Sequence, residues 1–304
     1  VTRTGTGAYQ VRLPGIGSVT GIAHVTPYRT VYRGRTCTIT GQEPDGGDEL
    51  VSVRCFDHTG LPVDWWFTVF DSTPTGGGGP YATIDYDAPG GGASRDPVLN
   101  LRTFNSAGGV ARVVRQSTGL YHVTLTGEPF AADAGHVQLT AAGGEPVRCT
   151  RTDAQVATKA IELTVSCFAV TTSATPQPAD APWHLSYVRD TGLHHNAAVP
   201  AAYVATTGDP AAPTISAAHT FTTNGETPTL NRLSAGHYRL TWTGIGKRGD
   251  SAQITATGTN GGYCHLGNIN SYSAPPQLFI DVYCHTPAGV LGDSTFALAY
   301  LRVP

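Results

Sequence analysis

"RTGTGAYQVRLPG" at residues 3–15 is written twice more, as "RQSTGLYHVTLTG" at 115–127 and "RLSAGHYRLTWTG" at 232–244. Aligned on the tyrosine, the copies place Tyr9, Tyr121 and Tyr238 at steps of 112 and 117 residues. Three other features keep the same step. Arg3, Arg115 and Arg232 each stand six residues before the tyrosine. A cysteine pair follows (Cys37 and Cys55, Cys149 and Cys167, Cys264 and Cys284), with internal spacings of 18, 18 and 20. An aspartate then heads an aromatic segment: Asp64 in "DWWFTVF", Asp180 in "DAPWHLSY" and Asp293 in "DSTFALAY". Four features in register three times over define a tandem repeat.

Within the repeat, "YQVRL", "YHVTL" and "YRLTW" alternate apolar and polar residues, as half-buried strands do. "HVQLTA", "QITATG", "VSVRCF", "IELTVSCF" and "FIDVYC" do the same, and "PDGGD", "DAPGGG", "TNGG" and "DTG" punctuate them as turns. The chain reads as all-β. Residues 80–190 and 201–304 form complete units, whereas 1–73 lacks counterparts of "YATIDYDAPGG" and "VLNLRTFNS". About eight strands per complete unit suit an antiparallel β-sandwich of ~100 residues. Each half, roughly fifty residues with four strands, equally suits a blade of a β-propeller. Gly- and Pro-rich joints at 71–80 and 190–200 favour tandem sandwiches. In a sandwich, the missing strands of the first unit leave an open edge. We expect it to be filled by a segment of the same chain or by another copy, giving a homo-oligomer or filament. A propeller would instead use residues 8–13 as an outer strand and remain monomeric.

The repetition selects one disulfide pairing among fifteen: Cys37–Cys55, Cys149–Cys167 and Cys264–Cys284. Closing a loop of about twenty residues contributes on the order of 3 kcal/mol. Zinc is disfavoured, because the cysteines come singly rather than in Cys-x-x-Cys knuckles; neither metal nor cofactor is expected. Charged residues make up 13% of 304, with 17 Arg, 2 Lys and a net charge of −3. No basic block exists to neutralise a run of phosphates or meet an anionic membrane. No apolar run reaches the length of a membrane-spanning helix. With no methionine in the sequence, we expect that an initiating segment has been removed, as signal-peptide removal or a later cut would do. Secretion to an extracellular setting is the expectation.

Signs of catalysis are sparse. No Gly-x-Ser-x-Gly elbow or phosphate loop occurs. Asp85 and Asp87 offer a carboxylate pair and His194-His195 lies in a turn, but the pair has no counterpart in the third unit. The triplicated Arg and Asp read as framework. Trp65 and Trp66, adjacent on one presumed strand, point their rings to opposite faces, so one is either packed from outside or free to meet a sugar or partner chain. The expectation is a non-catalytic extracellular binding, adhesive or structural protein. It would hold polysaccharide or cell-wall material through Trp65 and Trp66, or self-assemble through β-edges. The alternative is a secreted hydrolase built on one unit with Asp85, Asp87 or His194. With its tyrosine motif and three cysteine pairs, the chain resembles the tandem β-repeat proteins predicted to be secreted by actinobacteria and other high-GC bacteria. That resemblance implies an exported product and carries over no catalytic residue.

Overall fold

In unit 1 the strands are β1 (Thr2–Gly5), β2 (Ala8–Leu13), β3 (Ile22–Pro27), β4 (Arg35–Asp45), β5 (Asp48–Asp57) and β6 (Phe67–Ser72). Unit 2 holds β7 (Tyr81–Tyr86), β8 (Phe104–Asn105), β9 (Ala111–Ser117), β10 (Leu120–Thr126), β11 (His136–Ala141), β12 (Val147–Arg151), β13 (Gln155–Ala157), β14 (Ala160–Ala169) and β15 (Trp183–Val188). Unit 3 holds β16 (Ala201–Thr207), β17 (Thr214–Thr222), β18 (Thr229–Ser234), β19 (His237–Thr243), β20 (Ser251–Ala256), β21 (Tyr263–Ser273), β22 (Pro276–His285) and β23 (Phe296–Leu301). The structure, a computed structural model, describes residues 1–30, 33–72, 79–87, 93–152, 155–196 and 199–302. Parts of both joints (73–78 and 197–198), most of "DAPGGG" (88–92) and the last two residues of the third unit lie outside the described residues.

Each unit is a sandwich of two antiparallel sheets. The outer sheets run β1-β2-β5-β4, β9-β10-β14-β12 (with β13 also on β14) and β18-β19-β22-β21. The inner sheets run β3-β6, β11-β15-β7-β8 and β20-β23-β16-β17. This overturns the propeller alternative. A blade is made of consecutive strands, but unit 2 sends β9, β10, β12 and β14 to one layer and β7, β8, β11 and β15 to the other. The reason is visible in β10, where Tyr121, Val123 and Leu125 point inward and alternate with partly exposed neighbours. Such a strand has one apolar face, which the inner sheet covers.

The cysteines sit directly opposite one another across β4–β5, β12–β14 and β21–β22, giving the three expected disulfides. They face the cores between the sheets, beside Val53, Val165 and Val282.

The three sandwiches close on one another as a ring. The Gly143 N–H donates to the Ile39 carbonyl at 2.8 Å, Gly258 N–H to Arg151 at 2.8 Å and Arg29 N–H to Leu266 at 2.9 Å. Ile39, Arg151 and Leu266 each stand two residues past the first cysteine of their unit, so these bonds are equivalent. They join unit 2 to 1, 3 to 2 and 1 to 3, which is the connectivity of a pseudo-threefold axis. Around that axis β3, β11 and β20 present His24, Gln138 and Gln253, then Thr26, Thr140 and Thr255, at matching positions. Their polar atoms pair across unit boundaries. His24 bonds Thr140 Oγ1 at 3.1 Å and Ser186 Oγ at 2.8 Å, Thr26 Oγ1 donates to Gln253 Oε1 at 2.8 Å, and Gln138 Nε2 donates to the Ile254 carbonyl at 3.2 Å. The inner strands are thereby buried on both faces.

Candidate functional site

The repeated arginine, glycine, tyrosine and aspartate converge in each unit. In unit 2, Asp180 accepts hydrogen bonds from Arg115 (Nε 3.0 Å, Nη2 2.8 Å), the Gly119 N–H (2.9 Å) and the Tyr121 hydroxyl (2.9 Å). Unit 3 repeats this with Asp293, Arg232, Gly236 and Tyr238, and unit 1 with Asp64, Arg3, Gly7 and Tyr9. Glycine is required two residues before the tyrosine. At Gly119, φ is +68° and a Cβ would lie 2.4 Å from the Cys167 carbonyl oxygen. The cluster pins the β9–β10 turn to the segment entering β15, so it is framework.

The Arg115 guanidinium, with Gly119 and Tyr121, outweighs burial and holds the Asp180 carboxyl down at about 2; Arg232 does the same for Asp293, also about 2. A carboxyl depressed in the folded state stabilises above its unfolded value near ~3.9, and that contribution is lost as pH falls toward 2. Asp180→Ala should cost about 2 kcal/mol in urea unfolding, because it strands the Gly119 N–H and removes a partner of the buried Tyr121 hydroxyl. Asp64→Ala should cost less, since Asp64 is half exposed. Equal losses at the two sites would contradict this account.

The hydrolase candidates do not assemble. Asp85 lies beside His184 at 3.5 Å. Burial raises its carboxyl, but His184 and Arg102 outweigh that and hold it below the usual range. Asp87 instead faces Arg95 at 3.6 Å. The histidine turn meets β7 at its other end, where His195 stacks on Tyr81 at 4.7 Å. Tyr81 is four residues from Asp85, roughly 13 Å along a strand.

Unit 1 differs from its siblings where β7 and β16 would lie. In unit 2, β7 pairs with β15 and inserts Ala82, Ile84 and Tyr86 into the core. Tyr86 stacks on Trp183 at 4.9 Å and meets Tyr121 edge-on at 5.1 Å. In unit 3, β16 pairs with β23 and supplies Ala202 and Val204. Among the described residues, β6 pairs with β3 alone. Phe67 and Val69, the equivalents of the enclosed Trp183 and Leu185, are consequently only half-buried, and so is Tyr9 beside the enclosed Tyr121 and Tyr238. What remains is an apolar opening of about 380 Å³ lined by Val1, Tyr9, Asp64, Trp65, Trp66 and Phe67. Its floor is Tyr9 edge-on to Phe67 at 5.1 Å.

Both tryptophans line this opening, but they precede β6 rather than alternating on a strand. Trp65 packs partly against the unit 1 core with the Arg35 guanidinium 4.7 Å over its ring. Trp66 is 61% exposed, with Arg29 5.2 Å over one face. Val1 and Phe67 were not singled out by sequence reasoning, and Tyr9 was read there only as a repeat marker. The signal for them was their alignment with buried residues of the complete units, where β7 and β16 cover the equivalent positions. No protein-family model, curated protein or solved structure matches the chain.

Proposed function

We propose that this is a non-catalytic, secreted extracellular protein of binding, adhesive or structural type, with unit 1 as its binding end and units 2 and 3 as its body. The observation that carries this reading is the apolar opening at Trp65 and Trp66, set in an architecture whose other two copies close the same place. Three disulfides support an oxidising, extracellular setting. Among the described residues no helix is long and apolar enough to cross a membrane. The triplicated charged groups are engaged in framework contacts, which leaves the opening as the distinctive surface. Between polysaccharide and polypeptide, the opening favours polypeptide. Arg29 already covers one face of the exposed indole, and among the described residues the β6 strand beside it pairs with β3 alone.

Titrating the protein with cell-wall oligosaccharides and with extended apolar peptides, followed by tryptophan fluorescence and chromatography, tests this. Saturable binding that Trp65→Ala abolishes, with no product released, is expected. Steady product formation that stops in Asp85→Asn would overturn the reading in favour of the hydrolase.

A further inference from the structure

The residues just before the first cysteine of each unit, Thr36, Arg148 and Tyr263, occupy equivalent places around the pseudo-threefold axis. The cysteines turn inward to their sandwich cores, so these neighbours point the opposite way, toward the other units. Together with Arg35 and the strands β3, β11 and β20, they line a cavity of about 60 Å³ where the three units meet. That space admits a small ion or a few waters and excludes a larger organic ligand. Gly34 permits the crowding, since a Cβ there would lie 1.8 Å from the Tyr263 hydroxyl oxygen.

Both arginines are short of acceptors. Arg148 is only 4% exposed. Its Nε and Nη2 donate to the carbonyls of Gly261 and Pro287, each at 3.1 Å, and its guanidinium lies 4.5 Å over the Tyr263 ring. Its Nη1 is buried and, among the described residues, has no acceptor. Arg35 donates from Nη1 to the Gly34 carbonyl at 3.1 Å, while its Nε is likewise buried without an acceptor among the described residues. Asp57, opposite Arg35 across β4–β5, favours the charge of Arg35, whereas the group that favours the charge of Arg148 is the Tyr263 phenol. A buried cation without an anionic partner is costly.

We infer that this cavity is a binding site for one chloride-sized monovalent anion, held by Arg148 and Arg35. A single negative charge balances Arg148. The Nε–Nη2 edge of Arg148 is taken up by carbonyls, so the free donors are single N–H groups on separate guanidiniums. These suit a spherical halide, whereas a carboxylate is met best by the paired edge of one guanidinium. A cation finds no ligands, because among the described residues no group of three His, Cys, Asp or Glu could hold a metal. The site shares no lining residue with the opening at Trp65 and Trp66, so it stands whether or not that opening binds a partner.

The test uses the intact, oxidised protein at neutral pH. Sodium chloride replaces sodium gluconate, whose anion is too large for the cavity, at constant ionic strength. The melting temperature should rise saturably, by about 3 °C at full occupancy. Arg148→Met should abolish that rise. Arg112→Met, which removes a half-exposed arginine paired with Asp96, should keep it. A crystal soaked in sodium bromide should show an anomalous peak within hydrogen-bonding distance of Arg148 Nη1, and this decides the matter if Arg148→Met does not fold. Melting that is the same in chloride and gluconate would overturn the inference, as would a bromide-soaked crystal without the peak. A rise that Arg148→Met retains, or that Arg112→Met also loses, would make the effect one of general surface charge and overturn it too. A rise in sodium formate with none in chloride would overturn the assignment to a halide.

Discussion

Replacing Trp183 with alanine is expected to remove about 4 kcal/mol of stability, against less than half of that for Phe67→Ala, although the two residues occupy the same place in their units. Truncating a fully enclosed large aromatic costs ~3–5 kcal/mol, because the lost transfer energy is joined by a cavity the surroundings cannot fill. Trp183 is fully buried and packed by the Tyr86 and Tyr121 rings at 4.9 and 6.1 Å. Phe67 already borders the opening, so truncation there removes less contact and leaves no sealed cavity. Trp183→Phe should be much milder. Unit 3 places the fully buried Phe296 at that position, and among the described residues the indole N–H of Trp183 has no hydrogen-bond partner to lose. Urea unfolding of the oxidised protein measures all three. A Phe67→Ala loss as large as that of Trp183→Ala would mean that unit 1 is as closed as the others.

The repeat, the all-β class and the cysteine pairing were legible because they rest on short-range patterns copied three times. The tyrosine cluster was legible only in pieces. Arg115, Gly119, Tyr121 and Asp180 recur visibly, but their meeting at one carboxylate depends on the second sheet returning beneath the first turn. The inner strands misled for a physical reason. "HVQLTA" reads as a strand with His136, Gln138 and Thr140 turned to water, yet every one of its residues is buried. A polar face on a strand shows that its groups need hydrogen bonds, and partners on another unit serve as well as water. That distinction depends on contacts between residues more than a hundred positions apart, such as His24 with Thr140. The joints between units likewise suggested sandwiches in a row, where the structure closes them into a ring. For the candidate site, the absent strands of unit 1 could be counted from the repeat. Which side chains their absence uncovers could not.

Burial of histidines in this ring leads to the expectation that stability falls steeply between pH 6.5 and 4, well before the Asp180 and Asp293 carboxyls protonate near 2. Burial, with the neighbouring His184 and His136, holds His24 well below its ordinary value, and burial with His285 does the same for His265. Burial and the Arg151 charge push His136 down to about 3, and burial, helped by Arg35, His58 and Arg148, takes His285 to about 4. All four stay neutral in the folded protein until pH approaches 4, where His285 begins to charge, whereas in the unfolded chain they take up protons near pH ~6.5. The unfolded state therefore binds more protons throughout this window, and stability present above it is lost as pH falls. Each ring contributes a slope of up to about 1.4 kcal/mol per pH unit, so a fall of two units costs on the order of 3 kcal/mol per ring. Two of the rings lie within 3.2 Å of each other, His285 Nε2 against His265 Nδ1, in a stack continued by Tyr263 and Tyr283. Protonating one opposes protonating the other, and relief requires opening the interface where Arg29 of unit 1 bonds Leu266 of unit 3. His136→Phe keeps an aromatic ring against Tyr203, which it now stacks upon at 5.5 Å, while removing the titrating group. Urea unfolding at pH 7, 6 and 5 should then show a slope shallower by roughly 1 kcal/mol per pH unit in that variant. Stability unchanged between pH 7 and 4.5 in the parent protein would mean that these rings gain protons while folded, and that the ring of sandwiches admits water at its seams.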